Sequence, residues 1–167
     1  MTKGIAIIGC GRIGRIRGKI ASEFPGISWI GLCDINEKLG YQLKDDIEAD
    51  FFTTDYSELI TRPEVDAVII ATSTWSHFEP TLIAIENKRK IFVEKPLTLD
   101  ANQSRFLISK IKEHNTDACV GYTQRFRRKF ISAKQKVSSN QIGDITCAVT
   151  RTFMNRMGPM SLADLVA

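Results

Sequence analysis

Histidine is scarce in this chain: only His77 and His114 occur in 167 residues. Cysteine is sparse and scattered, at Cys10, Cys33, Cys119 and Cys147, with no C-x-x-C pair. These two facts exclude a zinc ribbon and a thioredoxin-type redox motif, and no metal site is expected. Long apolar runs are missing too. None approaches the roughly 18 residues of a membrane-spanning helix, so no membrane partner is expected. Met1-Thr2-Lys3-Gly4-Ile5 leads directly into a strand pattern without a small-residue cleavage site. No signal peptide is expected, and the expected location is the cytoplasm. Charge excess is slight, 23 basic against 19 acidic residues. The basic cluster Arg125, Arg127, Arg128, Lys129, Lys134 and Lys136 reads as a solvated helix face. A nucleic-acid surface wants a larger excess, so no nucleic-acid partner is expected.

What is present is an ordinary globular mix, 43% apolar and 25% charged, long enough for a real core. Short apolar runs alternate with amphipathic stretches. Strands are expected at 5–8, 27–33, 51–52, 65–71, 91–93 and 118–120. Helices are expected at 12–24, 36–47, 55–60, 78–86 and from Asp100 to about Ile111. Asn36, Asp55 and Asp100 are expected N-caps. The cysteines near strands are expected to be buried as small hydrophobes. Strands alternating with helices predict an α/β fold, a doubly wound Rossmann parallel sheet. After Tyr122 the rhythm changes. A basic helix at 126–137, a turn at 140–143 and a strand at 145–153 predict the start of a second, incomplete α/β domain. The expected domains are thus 1–122 and 123–167.

The glycine loop Gly9-Cys10-Gly11-Arg12-Ile13-Gly14 follows the first strand and opens the first helix. Its glycines suit a tight turn, close approach of a pyrophosphate, and close packing of helix on strand. The phosphates would sit on free N–H groups at the helix N-terminus. Asp34 ends the second strand twenty residues past Gly14. A carboxylate there accepts hydrogen bonds from the adenosine ribose and repels a 2′-phosphate, which favours NAD over NADP. Lys38 and Arg12 keep NADP open as the second choice. Glycine loop plus acid also fits a methyltransferase that binds S-adenosylmethionine. Glu94-Lys95-Pro96 argues against that reading. It lies at the carboxyl end of the fifth strand, where open α/β sheets bind ligands. Lys95 can donate to a substrate oxygen or stabilise an alkoxide. Glu94 is expected to pair with Lys95 or orient it.

These motifs resemble the Gfo/Idh/MocA oxidoreductases over about residues 3–155. The resemblance rests on the glycine loop, Asp34, Ala71-Thr72 leading to His77, Phe92-Val93-Glu94-Lys95-Pro96-Leu97 and Gly121-Tyr122-Thr123-Gln124-Arg125-Phe126. It implies that Lys95 is catalytic and touches both substrate and nicotinamide ribose. It implies that Thr72, Ser73, Thr74 and His77 line the cofactor with Gly9, Gly11, Arg12, Ile13, Gly14, Asp34 and Glu94. Tyr122 and Arg125 would stand near the substrate, a sugar or polyol oxidised at a CH–OH carbon.

The chain departs from that pattern. Ser73 stands where proline is frequent. Asn87-Lys88-Arg89-Lys90 replaces a glycine before the fifth strand, with Asn87 expected to take the left-handed turn. Arg17-Gly18 replaces a histidine-containing pair. The resemblance also implies a chain about twice as long, whose second domain supplies an Asp and His pair with the histidine as base. No such base is visible here. A truncated reading frame, a gene fragment or an engineered piece is the expectation, with little turnover from this chain alone. Two functions stay open: the cofactor half of a sugar or polyol dehydrogenase, as a homo-oligomer or with a complementing chain, and a non-catalytic dinucleotide-binding module.

Overall fold

A computed structural model describes residues 2–151. The described residues divide into two compact units, residues 2–121 and 122–151.

The first unit alternates strands and helices: β1 (Lys3–Ile8), α1 (Arg12–Ser22), β2 (Ile27–Cys33), α2 (Glu37–Ile47), β3 (Phe51–Thr53), α3 (Tyr56–Thr61), β4 (Ala67–Ile70), α4 (Phe78–Glu86), β5 (Lys90–Val93), α5 (Ala101–Glu113) and β6 (Ala118–Val120). All paired strands are parallel, in the order β3-β2-β1-β4-β5-β6. This is the expected doubly wound sheet. The strand order reverses between β1 and β4, and that switch opens a crevice at the carboxyl ends of the strands.

Local chemistry starts most of these helices. Asn36 accepts the Leu39 N–H at the head of α2, Asp55 accepts from Ser57 and Glu58, and Asp100 accepts from Asn102 and Gln103. Each cap satisfies N–H groups that the helix itself leaves unpaired. Helix α1 differs. Its N-cap is Gly11, no side chain caps it, and its first turn holds no acid.

Apolar side chains pack on both faces of the sheet. Ile7, Leu32, Leu43 and Ile47 form one cluster, against α2. Ile8, Val68, Ile70, Ile85 and Leu107 belong to the other, against α4 and α5. Helix α1 meets the sheet through Gly14, Gly18 and Ala21, while Ile16 and Ile20 are largely exposed. Its isoleucine spacing marks the helix but not the buried face. A Cβ on Gly18 would stand 3.0 Å from Ile47 Cδ1 of α2 and 3.7 Å from Ile7 Cδ1 of β1, so a small residue here lets α1 pack closely on α2 and the sheet.

Four other expectations need correction. Cys119, on edge strand β6, is exposed, as is Cys147, so only Cys10 and Cys33 are buried. An edge strand has a neighbour on one side alone, which leaves more of its surface to solvent. The left-handed turn before β5 falls on Lys88, with φ 55°, while Asn87 caps α4 with its amide on the Ile83 carbonyl at 2.8 Å. Helix α1 stops at Ser22 rather than 24. Finally, residues 145–151 form no strand; the rest of that expected strand lies outside the described residues. An extended segment without a pairing neighbour gains no ladder of hydrogen bonds.

The second unit, as far as described, holds a short 3₁₀ turn (Thr123–Phe126) and α6 (Arg128–Ser138). Among the described residues no helix is long and apolar enough to cross a membrane.

Candidate nucleotide site

The sharp turn after β1 is built from backbone. Gly9 has φ +95°, a conformation side chains strain to adopt, and its N–H donates to the Cys33 carbonyl at 2.8 Å. A Cβ on Gly14 would collide with the Gly9 carbonyl oxygen, whereas one on Gly11 would meet nothing within 4 Å. The first and third glycines are therefore needed by the protein's own packing. The second borders open space.

Asp34 leaves the end of β2 and faces this turn. Its Oδ2 accepts the Cys10 N–H at 2.7 Å and its Oδ1 accepts the Asn36 N–H at 2.8 Å. Each oxygen keeps a further lone pair for a hydroxyl donor. Beneath it lie the buried thiols of Cys10 and Cys33. Burial, reinforced by the Asp34 charge, pushes both up to about 12. Both are neutral thiols at physiological pH.

A cavity of about 300 Å³ opens here, at the switch point. Gly9, Gly11, Asp34, Thr72 and Ser73, all singled out from the sequence, line it together. Ile8, Cys33, Ile35, Thr54, Tyr56, Ala71, Ser76 and Pro80 complete the wall. The spacing of glycine loop and acid pointed to the first group. Nothing local marks Tyr56 or Pro80, which topology brings in from α3 and α4. Arg12, Ile13, Gly14, Thr74, His77, Glu94 and Lys95 are not among the lining residues. Arg12, Ile13 and Gly14 supply the first turn of α1, and Thr74 is buried.

His77 is buried to 1% exposure. Its Nδ1 lies 2.9 Å from the Pro96 carbonyl oxygen and its Nε2 lies 3.3 Å from the Thr72 carbonyl oxygen. One ring thus spans from the loop after β4 to the loop after β5. There Glu94 is partly buried and Lys95 exposed, and the Lys95–Pro96 bond is cis. Arg17, not singled out by its chemistry in the sequence, donates to Glu94 Oε1 from Nε at 2.9 Å and from Nη2 at 2.5 Å. Glu94 is thereby engaged by α1. Of the two residues expected near substrate, Tyr122 is half exposed and Arg125 lies in the 3₁₀ turn, where Gln124, Arg125, Phe130 and Lys134 line a second cavity of about 290 Å³.

The residues fit a dinucleotide. An uncapped helix N-terminus beside an open glycine edge suits a diphosphate, and a carboxylate at the next strand end suits a ribose. Among the described residues no group of His, Cys, Asp and Glu is placed to hold a metal ion.

Comparison with known proteins agrees. The oxidoreductase family with an NAD-binding Rossmann fold, Gfo/Idh/MocA, matches residues 3–122. The chain is 32% identical over 139 residues to scyllo-inositol 2-dehydrogenase (NAD(+)) of Bacillus subtilis, covering 83% of this chain and 41% of that protein. It is 30% identical to myo-inositol 2-dehydrogenase of Thermotoga maritima, covering 83% and 42%. A crystal structure of scyllo-inositol dehydrogenase from Lactobacillus casei, with bound NAD(H) and scyllo-inositol, superposes with a TM-score of 0.83 at 25% identity, covering 87% and 44%. The chain thus spans about two-fifths of the length of these relatives. With the glycine loop, Asp34 and the reversed strand order in one crevice, and the match running through 3–122, the chain belongs to the Gfo/Idh/MocA oxidoreductase family.

Proposed function

We propose that residues 2–121 bind NAD(H) and form the nucleotide-binding part of a dehydrogenase that oxidises a CH–OH carbon of a sugar or polyol. The observation that carries this reading is the meeting of Asp34 with Gly11, the N-cap of α1 and a residue without a side-chain cap, in one cavity. N–H groups of Arg12, Ile13 and Gly14 hold the diphosphate, and Gly11 lets it come close. Asp34 takes the adenosine ribose hydroxyls and disfavours a 2′-phosphate, so NAD is preferred to NADP. Thr72, Ser73 and Thr74 carry the loop toward the nicotinamide. Bound nicotinamide supplies the hydride acceptor.

Lys95 donates to the substrate oxygen and steadies the charge that develops on it. Glu94 and His77 hold the turn on which Lys95 sits, and His77 acts from beneath the cofactor loop. Tyr122 and Arg125 belong to the substrate side. His77 spends its ring on carbonyl oxygens, and His114 caps the end of α5. The base therefore comes from further chain or from a complementing copy, as does an oligomer interface. The reading places the protein in the cytoplasm. That His77 spends both ring nitrogens on carbonyl oxygens favours a second reading, a dinucleotide-binding module without turnover of its own. Titrating the chain with NADH by fluorescence, then adding scyllo-inositol with NAD⁺, decides between them. Binding with turnover supports the dehydrogenase, and binding without turnover supports the module. No binding removes both.

A further inference from the structure

Arg17 lies one turn beyond Gly14 on α1 and reaches the end of β5. Besides its two hydrogen bonds to Glu94, its guanidinium stands 4.9 Å from the centre of the Phe92 ring. The two charged side chains keep only 24% and 14% of their surface. Glu94 is held on other sides too: its N–H donates to the Ile70 carbonyl at 2.9 Å, and a Cβ on Gly121 would stand 3.0 Å from its Oε2. Lys90 and Asp117 line the same groove as Arg17, but they pair with each other at 3.0 Å and are mostly exposed. A largely desolvated ion pair thus ties the diphosphate-facing helix to the residue preceding Lys95. Removing one member of such a pair strands the other's charge, whereas removing both is much milder.

We propose that Arg17 is a positioning residue. By neutralising Glu94, it sets the Glu94-Lys95-Pro96 turn against the coenzyme. The proposal rests on the reading that this turn faces bound NAD(H). Without Arg17, Glu94 remains an unbalanced anion near an anionic coenzyme.

The test compares five full-length chains: the wild type, Arg17→Met, Glu94→Gln, the double variant and Arg17→His. Two quantities are read: the NADH dissociation constant, and the rate of Lys95 acylation by acetic anhydride, resolved by peptide mass spectrometry without coenzyme. Arg17→Met is expected to weaken NADH about tenfold and to change Lys95 acylation at least about threefold, and Glu94→Gln in that background to restore both to within about twofold. Arg17→His is expected to bind like the wild type at pH 6 and like Arg17→Met at pH 8.5. A free imidazole titrates near pH 6.5 and carries the needed charge only below that range. Wild-type affinity stays flat across it. Unchanged acylation in Arg17→Met, or equal defects in single and double variants, overturns the proposal. If the wild type itself fails to bind NADH, the coenzyme reading falls and acylation alone decides the role of Arg17. If Arg17→Met does not melt cooperatively, Arg17→Gln takes its place, with the same defect expected and none contradicting the proposal.

Discussion

Asp34 grips the glycine loop through Cys10: its carboxylate accepts the Cys10 N–H at 2.7 Å while its other oxygen accepts the Asn36 N–H. The residue expected to select the coenzyme therefore also shapes the loop that binds it. Replacing it removes two things at once. Asp34→Ala should weaken NADH by at least about tenfold and also lower stability by about 1–3 kcal/mol, since two backbone donors lose a charged acceptor. Asp34→Asn keeps one acceptor oxygen and should fall between. Parallel NADH titrations and urea melts check this. A change in affinity with no change in stability would detach Asp34 from the loop.

Gly11 and Gly14 separate packing from binding. A methyl at position 14 runs into the Gly9 carbonyl, but one at position 11 projects into open space. Gly14→Ala should cost several kcal/mol or prevent folding, as overpacking does in tight sites. Gly11→Ala should leave the urea midpoint nearly unchanged while weakening NADH by about tenfold or more, because the methyl occupies the diphosphate's approach. Equal NADH affinity in Gly11→Ala and wild type would move the diphosphate elsewhere.

The two buried thiols set an alkaline limit. Cys10 and Cys33 ionise at about 12 in the fold against about 9 when free. Between those values the unfolded chain releases protons that the folded chain keeps. Stability is therefore fully present below pH 9 and falls as pH rises above it, by up to about 1.4 kcal/mol per pH unit for each thiol. Urea melts at pH 7.5 and pH 10 should show the loss, and a Cys10→Ala, Cys33→Ala chain should show less of it. At pH 7.5, Cys119 and Cys147 are exposed and should react quickly with a disulfide reagent, leaving Cys10 and Cys33 for the unfolded chain.

His77 joins two loops that the sequence separates. Its ring spans carbonyls of Thr72 and Pro96. His77→Phe fills the space without donating a hydrogen bond. It should lower stability by about 1–3 kcal/mol, by leaving a partly buried carbonyl unpaired, and should weaken NADH in addition. His77→Asn, which restores one donor, should recover part of both. A phenylalanine variant as stable as the wild type would show that the contacts carry no weight.

Much of this is legible in the sequence. The caps Asn36, Asp55 and Asp100 follow from side chains that bond N–H groups two or three residues on, a purely local event. The order of strands and helices follows from periodicity, and the sheet from the right-handedness of crossovers. What was not legible lies at long range. Arg17 and Glu94 stand 77 positions apart, and only the packing of α1 on β1 and β4, next to β5, brings them together. Tyr56 and Pro80 reach the cavity for the same reason. The isoleucines of α1 mislead about its buried face because close contact with a sheet favours glycine over bulk. The alternating pattern at 145–151 misleads because alternation describes a strand that has a neighbour.

The most direct test is calorimetric titration of the full chain with NADH, and with NADPH beside it. The account predicts saturable one-to-one heat with NADH and at least about tenfold weaker binding of NADPH, as a carboxylate at Asp34 requires. No saturable heat at millimolar NADH, or NADPH binding as tightly as NADH, would contradict it.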